Sequence, residues 1–265
     1  MRSNRFRLLS ILNFVAYLAT VIVNALAVIL PLNNKTTNEL SDQYPNLFVP
    51  AGFTFSIWGV IYVLLGIFVI YHLTLALKKQ APNHSAIEKI GLFFVISCLA
   101  NIAWIFAWHY EMVALSLALM LLLLASLLAI YLRVNIRQSA ATRSEKYTVF
   151  IPFSVYLGWI TVATIANVTA LLVYLNWNTL GLGEQFWAVA VILVALVIAL
   201  AVLFRRQDIF YCLVVDWALF GILMQRLAVT TTPDQQVVTA TIIGLVVITA
   251  GIIVQVVRKR SYHLN

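Results

Sequence analysis

The side chains best suited to engage a ligand fall on three stripes. They are Phe55, Trp58 and Tyr62; Asn101, Trp104 and Trp108; and Tyr156, Trp159, Ala163 and Asn167. Steps of three or four residues put each set on one face of a helix. A fourth stripe, Asn13, Tyr17, Thr20 and Asn24, has the same spacing. Indole, phenol and carboxamide groups combine broad apolar area with a few hydrogen-bonding tips, which suits a flat, largely apolar molecule. The same stripes also serve plain helix packing, with the asparagines as interhelical hydrogen bonds. Periodicity leaves both uses open. One further group stands out: Asp216, in CLVVDWALFG, is an ionisable side chain inside an apolar run. Such a group is costly in lipid unless paired or hydrated, so it reads either as a proton or cation relay or as a hydrogen bond to a neighbouring helix.

Enzyme chemistry finds no comparable foothold. His72, His84, His109 and His263 are scattered, and no serine, histidine and carboxylate set or metal-ligand spacing is visible. His109, at the end of the helix carrying Trp104, has the chemistry to ligate a haem iron, but it reads more simply as an interfacial polar group. The chain is therefore not expected to be an enzyme, and no catalytic residue, metal or required cofactor is assigned. Cys98 and Cys212 lie in apolar runs and read as small buried hydrophobes.

These side chains need a scaffold, and composition says which kind. Of the 265 residues, 63% are hydrophobic and 10% charged, and the mean hydropathy is +0.98. A soluble domain has an apolar share nearer one half, so compact soluble enzymes, secreted disulfide modules and disordered chains are excluded. Apolar runs of about twenty residues, the length that crosses a bilayer as a helix, fall near 8-30, 51-77, 88-108, 112-133, 147-175, 185-204, 208-229 and 236-257. The fold class is an all-α polytopic membrane helix bundle with about eight transmembrane helices. Span 1 has an arginine-rich lead, but its apolar stretch is too long for a signal-peptide core. Spans 4 and 6 are nearly featureless and predict helices with broad lipid exposure.

The net charge of +8 supplies a topology. With the N-terminus inside, 15 of the 17 lysines and arginines lie on the cytoplasmic side, and only Lys35 and Arg226 on the other. The positive-inside rule then predicts both termini in the cytosol, most simply of a bacterial plasma membrane. The partners are the lipid bilayer and a small hydrophobic ligand; nucleic acid is not expected. The polar connection 31-50, PLNNKTTNELSDQYPNLFVP, either caps a pocket or is an ordinary surface loop.

At these residues the chain resembles the TspO/MBR family, the translocator or tryptophan-rich sensory proteins. PAGFTFSIWGVIYVLLG (50-66) is similar to the family's span 2, with Trp58 and Tyr62 four residues apart. Asn101 and Trp104 resemble its N-x-x-W, and YLGWITVATIAN (156-167) its span 5. Departures are Val155 and Ser56, where the family usually has proline, and Phe55, three rather than four residues before Trp58. The resemblance covers about 1-175. It implies a five-helix bundle around a pocket for tetrapyrroles, sterols or similar compounds, often in a homodimer. Trp58, Tyr62, Asn101, Trp104, Trp159, Ala163 and Asn167 are its implied pocket positions. The family's sterol pattern is absent after Tyr174, so a tetrapyrrole-like ligand is expected first. The expected organisation is a TspO-like five-span domain, 1-180, with a three-span membrane extension, 181-265. The expected function is a receptor or carrier for that ligand; the alternative is a proton-coupled secondary transporter or permease using Asp216.

Overall fold

A computed structural model describes residues 2-30, 32-78, 86-138, 141-228 and 234-262. His84 and His263 of the sequence reading lie outside the described residues. Eight long helices carry the fold: α1 (Arg2–Ile29), α2 (Ile57–Leu77), α3 (Phe93–His109), α4 (Val113–Val134), α5 (Ile151–Tyr174), α6 (Gly183–Arg206), α7 (Ile209–Leu227) and α8 (Gln235–Tyr262). No strand occurs among the described residues. Seven of the eight are long and apolar enough to cross a membrane. The exception is α3, whose 17 residues reach only about 25 Å at helical rise. Here the sequence predicts a longer span, but Gly91 takes a positive φ of 57° and breaks the run into a short helix, Ala86–Ile90, and α3.

Helices α1 to α5 close into a ring. α1 packs on α2 and α3, α2 on α5, α5 on α4, and α4 back on α3. The last three helices pack pairwise on one another, and α7 docks this cluster against α5. Glycines allow that docking. A Cβ at Gly158 would sit 3.0 Å from the Tyr211 carbonyl oxygen and 3.1 Å from Val214 Cβ, closer than packed side chains tolerate.

Helix α4 shows the expected broad exposure on one face, with Leu115, Leu121, Leu122, Leu128 and Leu132 exposed, while the other face is packed. It is wedged between α3 and α5 with Ser116, Met120, Leu123, Leu127 and Ile130 buried, and it buries as large a share of its apolar window as α2. Its leucine-rich sequence hides this, because aliphatic residues suit lipid and protein neighbours equally. α6 likewise exposes Leu193, Val194, Val197 and Phe204 as expected.

Connections alternate between two faces. On one, Arg206 donates to Asn135 Oδ1 at 2.9 Å and Gln138 to the Arg205 carbonyl at 2.9 Å, tying the α4–α5 connection to the α6–α7 turn. On the other, Asn33 donates to the His109 carbonyl at 3.0 Å, and Lys35 pairs with Glu111 at 2.6 Å. The α6–α7 turn is tight: Gln207 takes a left-handed conformation (φ 54°) and Asp208 caps α7. Asp208 is fully buried. Its Oδ1 accepts from the Tyr211 amide at 3.3 Å, and its Oδ2 from the Tyr131 and Ser154 hydroxyls at 2.8 and 2.6 Å.

Candidate functional site

The three stripes meet inside the ring as one aromatic cluster centred on Trp58. Its indole stacks on Tyr62 and Trp104, with centroids 5.7 and 6.3 Å apart, and Trp104 stacks in turn on Trp108 at 6.1 Å. Trp159 meets Trp58 edge-on at 6.2 Å and Phe55 at 6.0 Å; Tyr156 meets Trp58 edge-on at 6.2 Å. Such geometries are the favoured ones for quadrupolar rings.

This cluster borders a cavity of about 50 Å³. Of the ten residues singled out from the sequence, Phe55, Trp58, Trp104, Trp108, Trp159, Ala163 and Asn167 line it. Tyr62, Asn101 and Tyr156 do not. Asn101 instead accepts from Asn24 at 2.8 Å and reaches Tyr156 Oη at 3.5 Å, linking α1, α3 and α5. The Tyr62 carbonyl accepts from Tyr17 at 2.9 Å. For these residues the packing use of the stripe is the one realised. Asn167, within the lining, accepts from Ser116 at 3.1 Å.

The remaining wall was not singled out from the helical stripes. Thr37, Ser41, Phe48 and Pro50 come from the 31-50 connection, Val162 and Ala166 from α5, and Ile222 from α7. The connection is thus a folded cap. Its short helix, Thr37–Asp42, starts in a capping box: Glu39 Oε2 accepts from the Thr36 amide at 2.7 Å, while the Glu39 amide donates to Thr36 Oγ1 at 3.3 Å. The hydrogen bonds that the Thr36 amide and hydroxyl donate to it hold the Glu39 carboxyl below its ordinary range. Leu40 and Phe48 are buried beneath the cap, Tyr44 packs on Trp108 at 5.6 Å, and Trp108 Nε1 donates to the Thr37 carbonyl at 3.3 Å.

Helix α7 braces the opposite rim. The turn Gly52–Ser56, which carries Phe55, rests on Gly221: the Ala51 amide donates to the Gly221 carbonyl at 3.0 Å. Trp217 Nε1 donates to the Thr54 carbonyl at 2.9 Å, and its ring meets Phe53 at 5.5 Å.

The polar inventory of the wall is uneven. Trp108, Trp187 and Trp217 all have carbonyl acceptors for their indole N–H groups. Trp104 Nε1 and Trp159 Nε1 are buried without an acceptor among the described residues. An unmet buried donor costs about 1-3 kcal/mol, and both indoles belong to residues that line the cavity. In its present form the cavity holds no more than a few water-sized groups, against roughly 300-1,000 Å³ for a typical small-molecule pocket. A larger ligand has to part the Trp58–Trp104 stack or lift the cap.

Two other groups are placed differently from the cavity wall. Asp216, partly exposed, lies between α7 and α8, where its Oδ2 accepts from Thr249 at 3.0 Å. It does not line the aromatic cavity. His109, at the end of α3, is fully buried rather than exposed, with Nδ1 2.7 Å from the Ile105 carbonyl. No group of three or more potential metal ligands occurs among the described residues.

A family model described as TSPO-like protein matches residues 10–254, from within α1 into α8, so the family likeness extends through the last three helices and not only over 1-175. No curated protein and no solved structure gives a match.

Proposed function

Because the chain belongs to the TSPO-like protein family and is an integral membrane helix bundle of that type, we propose that it is a receptor or carrier for a planar hydrophobic ligand. The ligand sits at the aromatic cavity and undergoes no chemistry there. The observation that carries this reading is the pair of buried indole N–H groups, Trp104 and Trp159, without acceptors in walls otherwise built for stacking. A tetrapyrrole fits that demand: its disc replaces the self-stacked indoles, and its acidic edge supplies acceptors. Because the resting cavity measures about 50 Å³, binding is coupled to opening and association is slow.

Protoporphyrin added to the purified chain is expected to quench tryptophan fluorescence saturably. Losing a stacked indole costs about 0.5-1.5 kcal/mol and losing its hydrogen bond about 1 kcal/mol. Trp104→Phe and Trp159→Phe therefore weaken binding roughly tenfold, while Trp187→Phe, whose N–H is bonded to the Thr179 carbonyl away from the cavity, is neutral. Equal affinities for all three variants would show that the indoles only pack.

The Thr249 bond supports a structural role for Asp216 over the transporter alternative. On this reading Asp216→Asn leaves uptake into proteoliposomes and its pH dependence unchanged; a folded variant that loses pH-dependent uptake would establish the relay. We further propose a five-span unit, 1-180, and a three-span extension, 181-265, that braces the cavity rim through α7. Both termini are placed in the cytosol of a bacterial plasma membrane, since the basic residues concentrate on that face. In a background lacking Cys98 and Cys212, an impermeant thiol reagent should label Gln43→Cys in intact cells and Arg143→Cys only after lysis. Labelling of Arg143→Cys before lysis would reverse or refute the topology.

A further inference from the structure

A second cavity, about 450 Å³, opens on the basic face, between the α4–α5 connection and the first turn of α7. Arg137, Arg143 and Lys146 line it together with Tyr147, and its apolar part is Phe150, Ile151 and Phe210. No carboxylate is among the lining residues. Glu145, next in sequence to Lys146, is committed to Thr142, whose amide and hydroxyl it accepts at 3.0 and 3.1 Å. Ser154, the remaining lining residue, donates to Asp208, and that carboxylate is already met by three donors. Arg137 is held in place by donating to the Gln207 carbonyl at 3.3 and 3.4 Å. Three cations thus converge on a space of ligand size whose inner wall is aromatic and aliphatic.

We propose that this cavity binds an amphipathic anion: a phosphate or carboxylate head met by Arg137, Arg143 and Lys146, with an apolar body against Phe150, Ile151 and Phe210. Scattered basic residues at a membrane surface explain a charge bias, but not a cavity with an apolar interior. The guanidinium and ammonium groups supply charge-assisted hydrogen bonds to the head. The head belongs either to a bilayer phospholipid or to a soluble organic anion.

The test uses the full chain in neutral detergent, with phosphatidylglycerol, phosphatidylcholine and inorganic phosphate as probes and native mass spectrometry as readout. Phosphatidylglycerol is expected to stay bound where phosphatidylcholine dissociates. Arg143→Gln/Lys146→Gln is expected to weaken it about thirtyfold, at roughly one order of magnitude per 1.4 kcal/mol and about 1 kcal/mol per basic group. Melting temperature in phosphatidylcholine checks that the variant is folded. Arg5→Gln/Arg7→Gln, outside the cavity lining, leaves binding unchanged, and Phe210→Ala weakens phosphatidylglycerol but not phosphate. Displacement by millimolar phosphate supports the site with a soluble anion as occupant; resistance supports it with a lipid. Retained phosphatidylglycerol binding in the Arg143/Lys146 variant, or an equal loss in the Arg5/Arg7 variant, would overturn the proposal.

Discussion

Asp208→Leu is expected to destabilise the fold by about 3-5 kcal/mol, the scale seen when one partner of a buried polar network is removed. The carboxylate is fully buried and receives three donors from three parts of the chain: Tyr131 on α4, Ser154 on α5 and the α7 amide of Tyr211. Leucine fits the space but accepts nothing. Two buried hydroxyls and the first turn of α7 then lose their acceptor, each at about 1-3 kcal/mol where water cannot replace it. Asp208→Asn keeps an acceptor oxygen and should recover at least half of the loss. Thermal melts of the two variants in detergent measure this, and a leucine variant melting with the wild type would mean that the carboxylate is incidental to the packing of α4, α5 and α7.

Gly221→Val should do comparable damage by a different route. Even a first carbon added at Gly221 would run into the Thr54 hydroxyl and lie 2.9 Å from Thr54 Cγ2 and 3.0 Å from its Cβ. Thr54 is fully buried, so its side chain cannot swing out into solvent. Overpacking of this kind costs about 1-3 kcal/mol for an added methyl and more for a branched residue. The functional loss should exceed the stability loss. Pushing α7 from the Gly52–Ser56 turn breaks the Ala51–Gly221 and Trp217–Thr54 hydrogen bonds and displaces Phe55 from the cavity wall. Ligand affinity should fall at least tenfold in any fraction that remains folded. Gly59→Ala is the control, since a Cβ there meets nothing within 4 Å and alanine favours the helix. Equal melts and affinities for Gly221→Val and Gly59→Ala would refute the close contact.

Much of this arrangement was legible in residue order. Aromatic spacing marked Phe55, Trp58, Trp104, Trp108 and Trp159, because a helical face must repeat every three or four residues whatever it packs against. Basic residues marked the alternation of faces. The same spacing could not separate wall from glue. Asn101 and Tyr156 share their stripes with Trp104 and Trp159, yet Asn101 accepts from Asn24 and donates to Tyr156 outside the cavity lining. What decides this is the depth of each residue along the helix axis relative to neighbouring helices, which depends on tertiary packing. Asp208 escaped notice for the opposite reason. Beside Arg205 and Arg206 it reads as part of a solvated turn, and only the approach of Tyr131 and Ser154 buries it. Ile222 carries no local signal at all: its place in the wall follows from the docking of α7 through Gly158 and Gly221. Polarity and proline had suggested that the 31-50 connection could be a cap. Its burial rests on Leu40, Tyr44, Phe48, Val49 and Pro50, apolar residues too few to register as a span.

The central claim is that a ligand fills the aromatic cavity and gives acceptors to Trp104 and Trp159. Nitrogen-15 indole labelling resolves it residue by residue, since the chain has seven tryptophans, each with one Nε1–H, and single Trp→Phe variants assign the signals. On saturation with protoporphyrin, the Trp104 and Trp159 N–H resonances are expected to move and their exchange with water to slow as they gain hydrogen bonds beside the disc, while the resonance of Trp187, already bonded to the Thr179 carbonyl, stays in place. Unmoved Trp104 and Trp159 signals at saturating protoporphyrin, or a shift confined to Trp187, would contradict the account.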